Sequence, residues 1–133
     1  MEMKAQLTPY IMSENAKKQA EFYKEALGGE ILSVVMHGQM PGAPEAIKDK
    51  VMHLAMTAAG GNTLFLSDSF EPVTGNRSIS MSLTFASEDE ARTAFANLAE
   101  GGAVKYPFEH QPWGAHYGEV VDPFGVTWQV VKP

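Results

Sequence analysis

The sequence predicts an α+β fold built from two βαβββ modules, and three observations carry that prediction. A helical apolar stripe closed by a glycine pair occurs twice, at Gly28-Gly29 and Gly101-Gly102, each about 20 residues after a strand-like run begins. Each helical stretch is followed by runs with strand spacing. Near the C-terminus, Tyr117 to Val131 reads as a hairpin that turn chemistry alone defends: Asp122 caps the turn with its own carboxylate, Pro123 presets φ, and Gly125 accepts a positive φ.

Taken in order, Leu7 to Met12 is an apolar run whose Pro9 cannot donate to a ladder, which places it at an edge or a strand start. Ser13 or Asn15 can cap the helix that follows, with Ala16, Ala20, Phe22 or Tyr23, and Leu27 along its stripe. Glu30 to Gln39 is a strand broken by Met40-Pro41-Gly42-Ala43-Pro44, and Glu45 to Lys50 is a polar connection with room for one helical turn. Val51 to Ala58 alternates, with Leu54 and Met56 on one face and His53, Ala55 and Thr57 on the other; Gly60-Gly61-Asn62 then turns the chain into Thr63 to Ser67. The stretch 69–77 reads as a linker between module one, about residues 5–70, and module two, residues 78–133. Ser78 to Phe85 alternates four hydroxyls with four apolar groups. Ser87 and Glu90 form a capping box, and Ala91, Ala94, Phe95, Leu98 and Ala99 make the second apolar stripe. Val104 to Phe108 and a loop through Pro112-Trp113-Gly114 lead into the final hairpin, where Tyr117 and Glu119 share one face and Trp128 alternates with Gln129.

A sheet with a helix on one face leaves its other face bare, so two such modules are expected to form curved sheets around a cup. The net charge of −6 repels phosphate backbones and anionic membrane surfaces, which argues against nucleic-acid and membrane partners. With no cysteine, disulfides, thiolate metal sites and cysteine nucleophiles are excluded, and the redox argument leaves the compartment open; a reducing cytoplasm is compatible, and a cytoplasmic location is the expectation. The N-terminus carries no signal-like apolar core, and no run approaches a membrane span.

The motifs Leu7-Thr8-Pro9-Tyr10, Glu21 to Glu30, Leu64-Phe65-Leu66-Ser67-Asp68, Trp113-Gly114 and Asp122 to Trp128 resemble those of the vicinal-oxygen-chelate superfamily, which contains glyoxalase I, bleomycin-resistance proteins and extradiol dioxygenases. The closer resemblance is to its PhnB-like branch, often labelled a 3-demethylubiquinone-9 3-methyltransferase domain. The resemblance implies the glyoxalase/bleomycin-resistance fold and a homodimer; the reaction is left open, because the superfamily spreads enzymes and binders over one scaffold. Methyl transfer from S-adenosylmethionine normally needs a glycine-rich turn after a strand, whereas these glycine pairs follow helices.

Metal-using members place His, Gln or Glu on the cup face of the outer strands of each half. The matching positions here are Thr8, Phe65, Ser80 and Gln129. Phe65 cannot coordinate and neutral Thr and Ser are poor ligands, so no cofactor is predicted and a divalent metal is disfavoured. A site from His53, Glu119 and Gln129 is the alternative. The expected partner is therefore a small apolar or aromatic molecule, lined by Thr8, Tyr10, His53, Phe65, Ser80, Ser82, Trp113, Tyr117 and Gln129, with Phe108 and Trp113 near its mouth. The competing reading is an enzyme, either metal-assisted or using Glu119 for acid/base work, because a carboxylate among Tyr117, Trp128 and Met side chains would be desolvated or else paired with Arg77 or a lysine.

Overall fold

The computed structural model describes residues 1–75 and 78–133. The chain divides into two compact units, Met1–Val73 and Thr74–Pro133. Asn76 and Arg77, part of the stretch read as a linker, lie outside the described residues, and with them the suggested Arg77 partner for Glu119.

Unit one runs β1 (Tyr10–Ser13), α1 (Ala16–Leu27), β2 (Gly29–Met36), β3 (Val51–Ala58) and β4 (Asn62–Asp68). Its mixed sheet has the order β1-β4-β3-β2, with β1 parallel to β4 and the other pairs antiparallel. Asn15 begins α1 as expected, its side chain accepting from the Lys18 amide at 3.1 Å. The sequence gives no hint of a second anchor: the buried Asp68 carboxylate accepts from Ala16 N at 2.8 Å and Val51 N at 2.7 Å, tying the helix start to β3 and β4. Ala16, Ala20, Tyr23 and Ala26 form the buried stripe of α1, which packs on the sheet through Leu54, Met56, Leu64 and Leu66. The ladder pairs Leu54 with Leu66 and Met56 with Leu64, so these four share a face. Three small alanines let the helix lie close to that face.

Unit two repeats the plan with β5 (Met81–Thr84), α2 (Glu88–Ala99), β6 (Ala103–His110), β7 (His116–Val121) and β8 (Thr127–Lys132), in the order β5-β8-β7-β6. Ser87 caps α2 by accepting from Glu90 N at 3.2 Å. Ala91, Ala94, Phe95 and Leu98 are buried on the helix, and Val120, Trp128 and Val130 are buried in the sheet it packs on. The hairpin turn forms as the sequence dictates. Asp122 Oδ1 accepts from Phe124 N at 2.8 Å and Val126 N at 3.1 Å, while Oδ2 accepts from the Trp128 indole at 2.9 Å.

Several boundaries differ from expectation for local reasons. β1 begins at Tyr10 rather than Leu7, because Pro9 has no N–H; its carbonyl still accepts from Phe65 N at 3.0 Å. Thr8 therefore stands outside the strand. β5 covers only Met81–Thr84 of the alternating stretch 78–85, its ladder beginning at Met81 opposite Trp128, so Ser80 lies before the strand. β2 stops at Met36, and His37–Gln39 and Glu45–Ile47 are 3₁₀ turns.

Candidate functional site

In each unit the alternation of side chains sends one set toward the helix and the other to the opposite, helix-free face. On that face of unit one the register puts Tyr10 beside Phe65 and Phe65 beside Ala55, with His53 two residues before Ala55. The three aromatic rings gather. Their centroids lie 5.6 Å apart for Tyr10–His53, 5.9 Å for Tyr10–Phe65 and 4.8 Å for His53–Phe65, with Phe65 edge-on to both partners. The Tyr10 hydroxyl and His53 Nδ1 are hydrogen-bonded at 3.0 Å. All three side chains keep part of their surface uncovered within the chain, Tyr10 about half.

On the helix-free face of unit two, Ser82 pairs with Gln129, Gln129 with Glu119, and Glu119 with Tyr106. Tyr117 shares the face and its ring lies 6.4 Å from Trp113. Glu119 is only 8 % exposed; it accepts from the Tyr117 hydroxyl at 3.2 Å and lies 3.5 Å from Lys105 Nζ. Burial pushes the Tyr117 phenol above its ordinary value, and the Glu119 charge and hydrogen bond push it further. A phenol held protonated by the fold contributes stability that is fully present below the unfolded value of about 10 and is lost as pH rises toward the folded value. An ultraviolet titration is expected to show one tyrosine ionising late, a feature that Tyr117→Phe removes; if the late step survives in that variant, this environment is misassigned.

The placement corrects three expectations. Trp128 does not neighbour Glu119: its register partner is Val120, so it lies on the helix side with its indole on Asp122. Phe108 is likewise buried on that side, with its ring 5.9 Å from Phe95 and the Arg92 guanidinium 5.2 Å over it, so it cannot cover a ligand on the other face. Thr8 and Ser80 lie outside the strands to which they were assigned. The expected lysine partner of Glu119 is Lys105, whose position could not be read from alternation because β6 breaks register between Val104 and Tyr106 and again before Glu109. Pro107 inside that run was the available signal.

The superfamily's metal positions do not suit a metal here. Phe65 presents a ring packed among Tyr10 and His53, with no donor atom, and Thr8 and Ser80 are neutral hydroxyls outside the ladders. Of the alternative set, Glu119 and Gln129 pair in unit two while His53 belongs to unit one. Among the described residues no group of three or more His, Cys, Asp or Glu side chains is arranged to hold a metal ion. The other histidines have local partners: His37 faces the Phe70 ring at 5.4 Å, and His116 lies 5.7 Å from Phe108 and 5.2 Å from His110.

A sequence profile of the Glyoxalase/Bleomycin resistance protein/Dioxygenase superfamily matches residues 6–130. Protein YjdN of Escherichia coli is 25% identical, the match covering 93% of this chain and 92% of that protein. Among solved structures, PA1353 from Pseudomonas aeruginosa is 33% identical with a TM-score of 0.84, covering 97% of this chain and 98% of that one. A Bacillus cereus protein described as a putative 3-demethylubiquinone-9 3-methyltransferase, PhnB protein, is 26% identical with a TM-score of 0.81, covering 97% of this chain and 100% of that one.

Proposed function

This chain belongs to the Glyoxalase/Bleomycin resistance protein/Dioxygenase superfamily, and from that premise we propose that it binds a small apolar or aromatic molecule on its helix-free sheet faces, without a superfamily-type metal site. One observation carries the reading. At Phe65, a position to which the family resemblance assigns a metal ligand, this chain has an aromatic ring packed with Tyr10 and His53. A coordinating position has become a stacking surface. Such a surface recognises planar apolar ligands through dispersion and ring quadrupoles, and needs no ion to do so.

Methyl transfer, suggested by the label of the PhnB-like branch and by the description of the Bacillus cereus protein, has no support in the local chemistry. The glycine pairs follow helices rather than strands, and the second glycine of each, Gly29 and Gly102, lies against the backbone of Thr57 and Val121. The contact of Glu119 with the Tyr117 hydroxyl favours a second reading, in which that buried carboxylate exchanges protons with a bound molecule. Binding comes first in either case.

Ligand binding is tested by melting the protein with ethylbenzene and acetophenone as probes. Stabilisation by about 4 °C is expected at ten times the dissociation constant. Phe65→Leu, which keeps an apolar side chain but removes the ring, is expected to cut the shift by more than half. Equal shifts in both proteins would place the binding elsewhere.

A further inference from the structure

The Tyr10–His53 hydrogen bond specifies what a ligand on this face must carry, an inference that rests on the binding reading above. Histidine has two ring nitrogens, and the partner of one dictates the proton on the other. Here Nδ1 is engaged by the Tyr10 hydroxyl at 3.0 Å. If the hydroxyl donates, Nδ1 is the acceptor and the neutral ring carries its proton on Nε2. If the ring is protonated, Nε2 carries a proton as well. In both cases Nε2 is a donor, with no hydrogen-bond partner among the described residues; a neutral ring that instead donated from Nδ1 to the phenol oxygen would present Nε2 as an acceptor, and the phenol O–H, the more acidic donor, is taken here as the one that donates. The ring that bears it is 4.8 Å from Phe65, so the donor stands at the edge of an aromatic surface. From this arrangement we propose that the ligand is a planar apolar molecule bearing an acceptor oxygen, a carbonyl or carboxylate, that takes a hydrogen bond from His53 Nε2 while its ring packs on Phe65.

The alternatives on this face support the same choice. Within the cluster Tyr10 has its hydroxyl on Nδ1, Phe65 and Ala55 have no polar side-chain atoms, and Met12 offers only a weakly accepting thioether, while the hydroxyls of Ser33, Thr57 and Thr63 share the face outside the three rings. A ligand with a donor group alone has, within the cluster, only the Tyr10 oxygen to accept it, a site already engaged with Nδ1 through its hydrogen. A ligand with an acceptor oxygen finds a prepared N–H, and leaving that oxygen unpaired against an apolar surface would weaken binding.

The test compares acetophenone, which has the acceptor oxygen, with ethylbenzene, which has a similar shape without it, on the whole chain. Long-range proton–nitrogen spectra of the His53 ring are expected to show a protonated Nε2, which shifts when acetophenone is added. His53→Phe, which preserves a flat ring, is expected to weaken acetophenone about fivefold or more and leave ethylbenzene nearly unchanged. If both probes bind and the substitution affects them equally, or if the neutral ring carries its proton on Nδ1, the inference is overturned while the binding reading stands. If neither probe binds the wild-type chain, the inference falls together with the reading beneath it.

Discussion

Asp122→Ala is expected to destabilise unit two by about 3–4 kcal/mol, read as a lowered denaturant midpoint. Asp122 is 2 % exposed, and its carboxylate accepts from the Phe124 and Val126 amides and from the Trp128 indole. Hydrogen bonds to a charged acceptor are worth about 1.5–3 kcal/mol each and do not add fully. Alanine removes them together and strands the indole N–H of a side chain that is 2 % exposed, which costs its desolvation as well. Asp122→Asn separates the two contributions. Its single carbonyl oxygen can still accept from the turn, but its amide turns a donor toward the indole, so it should recover only part of the loss. A midpoint unchanged by Asp122→Ala would mean the turn is held by its backbone alone.

Gly29→Ala is expected to cost about 3 kcal/mol or more in unit one, for a reason that differs from its neighbour's. A Cβ at Gly29 would lie 2.0 Å from the Thr57 carbonyl oxygen and 2.9 Å from Ala58 Cα, and backbone cannot step aside as a side chain can. The first rungs of the β2–β3 ladder, Gly29 with Ala58 and Glu30 with Thr57, would have to open. Gly28 has open space around its missing Cβ but φ 72° and ψ 157°, a conformation nearly closed to other residues, so Gly28→Ala should cost a more modest 1–3 kcal/mol, approximately. Unit two repeats the steric contact at Gly102, whose Cβ would stand 2.1 Å from the Val121 oxygen. If Gly29→Ala proves no worse than Gly28→Ala, the close approach is not what selects the second glycine.

Those glycine pairs also show how far the sequence speaks for itself. Their recurrence after two apolar stripes was enough to read the repeat, and the turn at Asp122 was legible to its hydrogen bonds. Both depend on local rules acting over a few residues. The paired glycines were read as helix caps, which accounts for Gly28 and not for Gly29, because the approach of β3 is a contact between segments far apart in the chain. Asp68 was invisible as an anchor for the same reason: Ala16 and Val51 come to it only once the sheet has formed. In the candidate site, the ladders put His53 on the helix-free face of unit one and Glu119 and Gln129 on that of unit two, as alternation alone suggests. It misjudged Glu119's neighbours, since Trp128, one residue from Gln129, points the other way, and Lys105 reaches Glu119 through a strand whose irregular register breaks the alternation. Thr8 and Ser80 are positions that rest on resemblance alone; Pro9 keeps Thr8 out of β1, and β5 begins only at Met81, one residue after Ser80.

The central claim is that binding on the helix-free faces depends on an aromatic cluster in place of a coordinated ion. It is tested most directly by repeating the acetophenone melting shift on protein stripped with a chelator, and then with Zn²⁺ or Mn²⁺ restored. The account predicts the same shift in all three samples. A shift that vanishes with the chelator and returns with the ion would contradict it.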